Sequence, residues 1–258
     1  MKKISILVAT HKAYQFPEND IYVPVQVGKV FANQDLGLLS DSEGENISNK
    51  NSTFCELTAL YWAWKNSIFE NNDYVGLVHY RRYFKGEYPF LKNKFILSEE
   101  DIQRELSQVE CLVPKKRKYY IETIYSHYKN AHYINDLDLA ISILLEKNPE
   151  YLTACNQVLE GRSLYLFNMF IMRSGLCNEY CNWLFPILFE LEGRIDISNY
   201  SNYQKRVFGF ISERLFNIWL AHNKVKVKVV DITHLENERF LLKVIDLLKR
   251  KLLRNGKK

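Results

Sequence analysis

A run of strand character, Asp73-Tyr74-Val75-Gly76-Leu77-Val78, leads directly into His79-Tyr80-Arg81-Arg82-Tyr83-Phe84. Arginine offers a planar fork of donors that matches phosphate, and the neighbouring rings offer faces for stacking. At the carboxyl end of a buried strand, where an open α/β sheet holds its ligand, this cluster reads as an anion site with His79, Arg81 and Arg82 as its cations. The competing reading is a solvated charged loop. The first apolar run, Ile4-Ser5-Ile6-Leu7-Val8-Ala9, ends in the same manner in Thr10-His11-Lys12. Those three residues are expected as nucleotide contacts, against the alternative of an ordinary polar turn.

The elements that must hold these residues follow from the hydrophobic pattern. Both runs above are short and β-branched, as buried strands of a parallel sheet are. Residues 33 to 52 are polar and predict an exposed loop. Thr53-Phe54-Cys55-Glu56 fits a capping box ahead of Leu57, Leu60, Tyr61, Trp64 and Ile68 at helical spacing. Glu56 is then either a helix cap or a ligand contact. Helices are predicted from Ser98 to Gln108, Leu137 to Lys147, Tyr180 to Leu191 and Val207 to Leu220, and strands at Cys111–Val113, Leu164–Met172 and Val225–Val230. Asn168 interrupts the second of these strands with a polar group that needs partners if buried. Tyr119 to Tyr133 holds five Tyr and two His with little periodicity, which predicts a binding loop.

Composition narrows the class. The chain has 258 residues, enough for one domain with a full core. Its net charge of +5 is too small for a general nucleic-acid binder, although Lys115-Lys116-Arg117-Lys118 beside Tyr119 and Tyr120 would suit a single strand. Five cysteines without a pairing pattern fit reduced thiols, and Cys177 with Cys181 lacks the companions of a zinc site. The N-terminal apolar run is too short for a signal peptide, and no run reaches the length of a membrane span. A cytoplasmic protein is expected. The last ten residues carry six basic side chains and no acid, and Glu238 to Arg254 alternates apolar and basic positions at helical spacing. Residues 1–235 are therefore read as the domain, and 236–258 as a basic amphipathic tail helix on an anionic membrane surface.

The chain resembles the bacterial capsular and exopolysaccharide biosynthesis glycosyltransferases long catalogued as a family of unknown function, over roughly residues 3 to 235. The residues that carry the likeness are Ile6 to Lys12, Lys50-Asn51 through Cys55-Glu56 to Asn66, Gly76 to Phe84, Asn168 to Met172, Trp183-Leu184-Phe185-Pro186, and Arg206-Val207-Phe208-Gly209-Phe210 with Glu213-Arg214-Leu215. The resemblance implies an α/β fold of the GT-A type, with a Rossmann-like mixed central sheet flanked by helices. It implies transfer of a sugar from a nucleotide donor, a UDP-sugar and by family habit galactose in pyranose or furanose form, to a lipid-linked oligosaccharide in capsule, exopolysaccharide or O-antigen synthesis.

Such enzymes hold the donor diphosphate through Mn or Mg on an Asp-x-Asp motif at the end of a central strand. Here that place reads His79-Tyr80-Arg81, so metal-independent action is the alternative. The literal motif, Asp136-Leu137-Asp138, lies at a helix start, where residues two apart do not face each other. By the same resemblance Arg81 and Arg82, helped by His79, stabilise the leaving nucleoside diphosphate, and Glu213 is the acceptor's base. Its structural alternative is an ion pair with Arg214. Asn51, Glu56 and Asn168, with Thr10, His11 and Lys12, are assigned to the donor, and His132, Tyr128 and Tyr133 to the acceptor. The rival class is a non-catalytic protein that binds nucleic acid or a nucleotide sugar. A pyrophosphorylase or hydrolase would be expected to bring a glycine-rich phosphate loop or a carboxylate cluster, and the sequence has neither.

Overall fold

The computed structural model describes residues 2–91 and 93–236. The predicted tail helix thus lies, apart from Glu236, outside the described residues. The first strand, β1 (Ile4–Thr10), is buried along its whole length. Alternation sends Leu7 and Ala9 into one core and Ile6 and Val8 into another on the opposite face, which is why both sets are apolar. It pairs in parallel with β2 (Tyr22–Gln26), which pairs with the two-residue β3 (Leu39–Ser40).

After a 3-10 turn at Ser48–Lys50 come the short α1 (Asn51–Phe54) and α2 (Leu57–Lys65). The expected capping box is absent. Thr53 lies inside α1 and donates to Lys50 O at 2.9 Å, and Cys55 breaks the helix with φ 55° and ψ −134°. Residues 33 to 52 are also not simply exposed. Asp41 is fully buried and accepts from Ser48 Oγ, Thr58 Oγ1 and the amides of Gly28 and Lys29.

Next is β4 (Tyr74–His79), parallel to β1, which folds back at Tyr80-Arg81 into β5 (Arg82–Phe84) with His79 opposite Arg82. A small hairpin of β6 (Tyr88–Leu91) and β7 (Lys94–Ile96) follows. Then α3 (Glu99–Leu106) begins with a true capping box between Ser98 and Asp101. The next strands are β8 (Cys111–Pro114) and β9 (Arg117–Lys118). The stretch from Tyr119 to Tyr133, expected as a loop, holds the helix α4 (Ile124–Ala131), capped by Thr123, whose side chain accepts from Ser126 N.

The chain continues with α5 (Ile134–Lys147), α6 (Leu152–Leu159), β10 (Ser163–Leu164) and β11 (Phe170–Arg173). The strand predicted from Leu164 to Met172 is therefore broken, because Phe167 and Asn168 both take positive φ, 73° and 51°. It ends with α7 (Ser174–Arg194), α8 (Val207–His222), β12 (Val227–Val230) and β13 (Ile232–His234), the last paired with β5. Among the described residues the central sheet runs β12-β8-β11-β4-β1-β2-β3. β11 is antiparallel to both neighbours, while the other pairs along this path are parallel. The larger core packs α2, α5, α7 and α8 on one face, and the smaller packs α3 on the other. No described helix is long and apolar enough to cross a membrane.

Candidate functional site

A cavity of about 410 Å³ opens beyond the carboxyl ends of β1 and β4. That is where the topology of an α/β sheet leaves a crevice. Three segments supply its polar wall. The β4–β5 turn brings His79, Tyr80, Arg81 and Arg82; the α1–α2 junction brings Asn51, Ser52, Cys55 and Glu56; the start of α8 brings Arg206, Gly209, Phe210 and Glu213. His11, Phe167 and Asn202 close the rim.

Glu213 belongs to the second turn of α8. Its Oε1 accepts from Phe167 N at 2.7 Å, and its Oε2 from Arg214 Nη1 at 2.9 Å. Burial raises the pKa of this carboxyl above its ordinary value, and the Arg214 charge offsets only part of that. The Phe167 peptide is held from both sides, since its carbonyl lies 2.7 Å from His79 Nε2. Burial lowers the His79 pKa, so its ring is neutral near pH 7, and Arg82 and Arg81 push in the same direction. His11 is lowered for the same first reason, with Lys12 and Arg81 contributing.

The cations are held differently. Arg81 is partly exposed and meets Glu236 at 3.4 Å; Lys12 reaches the same carboxylate at 3.3 Å. Arg82 lies over the Phe167 ring at 4.5 Å. Arg206 donates from Nε to Cys55 Sγ at 3.2 Å and lies 5.5 Å from the Phe210 ring. Burial raises the Cys55 thiol pKa to about 12, so it is a packing and acceptor group and not a thiolate nucleophile. Gly209 packs closely on this pair, since a Cβ there would sit 3.2 Å from Cys55 Sγ, tighter than ordinary contact.

Of the predicted site residues, His79, Arg81, Arg82, Glu213, His11, Asn51 and Glu56 share this cavity. The others lie elsewhere. Thr10 is buried and donates to Lys12 O at 2.7 Å, which shapes the loop after β1. Lys12 stands outside the lining on its salt bridge. Asn168 sits behind the wall, where Nδ2 donates to Glu56 Oε1 at 2.7 Å and Oδ1 accepts from Ser212 Oγ at 2.9 Å. His132 packs against Phe210 at 4.2 Å between ring centroids and hydrogen-bonds Gln204. Tyr128 is fully buried, and Tyr133 stacks on Tyr200 at the surface. Asp136 of the literal Asp-x-Asp accepts from Tyr200, and Asp138 from Tyr125.

Arg206, Cys55, Phe167 and Phe210 line the cavity as well, without being expected there from the sequence. Arg206 is legible as a cation just ahead of α8; the other three carry no charge pattern that marks them. Among the described residues no group of three or more His, Cys, Asp and Glu is arranged to hold a metal ion. The residues at the end of β4 are His79, Tyr80, Arg81 and Arg82, so no Asp-x-Asp pair stands there to hold a divalent cation.

Among solved structures, a WbbM bifunctional glycosyltransferase in its apo form is similar over 91% of this chain, at 37% identity and a TM-score of 0.84. The chain spans 46% of that protein. The likeness and the mixed sheet order place the fold with the GT-A-like glycosyltransferases. No curated protein matches the chain. The family model described as "Domain of unknown function (DUF4422)" matches residues 5–224, and the chain belongs to that family.

Proposed function

We propose that this protein is a glycosyltransferase that moves a sugar from a nucleotide sugar, a UDP-sugar, to a hydroxyl of a lipid-linked oligosaccharide during surface-polysaccharide assembly. The observation that carries the reading is the joining, in one cavity at the strand ends, of Arg81, Arg82 and Arg206 with the half-buried carboxylate Glu213. The arginines supply the positive field that a departing nucleoside diphosphate needs, and they act in a partly dry cleft where such stabilisation is largest. Glu213 takes the acceptor's proton as the acceptor oxygen bonds to the anomeric carbon and the bond to the diphosphate breaks. Its raised pKa makes it a stronger base than an ordinary glutamate. Phe210, backed by His132 and Tyr203, gives the acceptor an aromatic wall.

Calorimetry with UDP and a panel of nucleotide sugars, with and without manganese, tests the reading. UDP or one sugar nucleotide is expected to bind, and Arg81→Ala to weaken it at least tenfold, as loss of a charge-assisted contact does. Absence of binding across the panel, with oligonucleotides bound instead, would favour the nucleic-acid alternative.

A further inference from the structure

The hydrogen bond of His79 fixes more than its orientation. Its Nε2 lies 2.7 Å from the carbonyl oxygen of Phe167. A carbonyl oxygen only accepts, so Nε2 carries the ring proton. His79 also lines the cavity, and with Nε2 committed the ring nitrogen left for a ligand is Nδ1, which in this tautomer holds a lone pair and no proton. The surroundings keep it so. A second ring proton would place another positive charge beside Arg81 and Arg82 in a half-buried position, with Glu56 as the opposing charge.

We infer that His79 does not share in binding the diphosphate but accepts a hydrogen bond at Nδ1 from a hydroxyl of the donor, on its ribose or on the transferred sugar. The inference rests on the transferase reading and changes the role of one residue within it. An ionised diphosphate presents only acceptors and cannot bond to a bare lone pair, whereas a hydroxyl can donate to it. Arg81, Arg82 and Arg206 hold the anion, and His79 tests for the hydroxyl. A site built around such a polar partner rejects a ligand that lacks it, because the bound ligand covers the acceptor and leaves it unpaired.

The test is 15N–1H correlation spectroscopy of the full chain labelled at its histidines, with the His79 resonances identified by their loss in His79→Gln. Free protein is expected to show the Nε2–H tautomer. Inorganic pyrophosphate is expected to bind without altering Nδ1, while UDP or UDP-galactose shifts Nδ1 toward a hydrogen-bonded acceptor. A shift with UDP assigns the ribose, and a shift only with UDP-galactose assigns the sugar. The inference is overturned if pyrophosphate converts His79 to imidazolium, if the free ring is protonated at Nδ1, or if UDP and UDP-galactose bind and Nδ1 stays unchanged. Failure of the transferase reading looks different: no nucleotide binds at all, and the inference falls with it.

Discussion

At the scale of single residues the site rests on the different environments of its two carboxylates. Glu56 accepts from Asn168, and Glu213 from the Phe167 amide and Arg214; burial raises the pKa of Glu213. Glu213→Gln keeps the shape and an acceptor for Phe167 N while removing the base. Turnover is expected to fall by about 10²- to 10⁴-fold, the usual worth of a positioned base, with UDP affinity nearly unchanged. The acid limb of the wild-type pH–rate profile should lie above the 4.5 of an ordinary glutamate, because the base works only when ionised and burial opposes ionisation. A variant with the same limb and near-normal turnover would remove Glu213 from the mechanism. Charge at the rim gives a second expectation. Glu236 neutralises Lys12 and Arg81 together, so Glu236→Ala should tighten pyrophosphate binding. Exposed pairs are weak, so the gain is about two- to fivefold and should shrink in high salt. Equal affinities at low salt would show that the carboxylate does not compete for these cations.

Among the elements, three irregular connections build the site, and these are where the sequence pattern was least legible. The Leu164–Met172 run has the composition of one strand, yet Phe167 and Asn168 turn through positive φ and aim the Phe167 peptide at Glu213 and His79. Hydrophobicity cannot signal that break, because the hydrogen bonds that sustain it come from distant segments. Thr53-Phe54-Cys55-Glu56 misled in the same way. The spacing suits a capping box, but the packing of α1 against α8 turns Cys55 into a sparsely populated conformation and sends Glu56 to Asn168. By contrast Ser98 and Asp101 form the box their spacing allows, and a tertiary donor on Asp101, the Glu87 amide at 3.4 Å, adds to the box without displacing it. The loop before α1 hides a structural carboxylate. Asp41 satisfies two hydroxyls and two amides in a fully buried position, so Asp41→Ala leaves these donors unpaired. The loss should be about 3 kcal/mol, a drop in melting temperature of about 6 to 12 °C. A drop under about 2 °C would mean that water replaces the carboxylate.

Across the whole molecule, the regular frame was readable where burial is decided locally. β1, β4, β8, α3, α5 and α8 follow from apolar runs and periodicity, and the cationic turn after β4 is legible because Arg81 and Arg82 stand at a strand end. Sheet order, the antiparallel placement of β11 and the meeting of α8 with the β4 turn depend on long-range packing that no window of sequence contains. One global property follows from packing histidines into this frame. His11, His79 and His127 all have lowered pKa values, His127 reaching about 4 through burial first and Arg214 second, with Glu122 opposing. A depressed folded value means that the unfolded chain takes up the proton first as pH falls below 6.5. The stability these neutral rings contribute is therefore complete above about pH 6.5 and is lost progressively toward pH 4. Glu213 and Asp136, whose values are raised, act in the opposite sense, since the folded protein then binds their protons first. With three rings against two carboxyls, the melting temperature is expected to fall between pH 6.5 and pH 5. His127→Gln, which removes a titrating group but leaves the cavity lining intact, should flatten that fall while losing some stability at pH 7.5 from the contact of its ring with Tyr119, 4.2 Å between centroids. Melting curves of both proteins at several pH values decide it. Parallel curves would mean that His127 is protonated alike in the folded and unfolded chains, and that burial of its ring imposes no pH dependence on the fold.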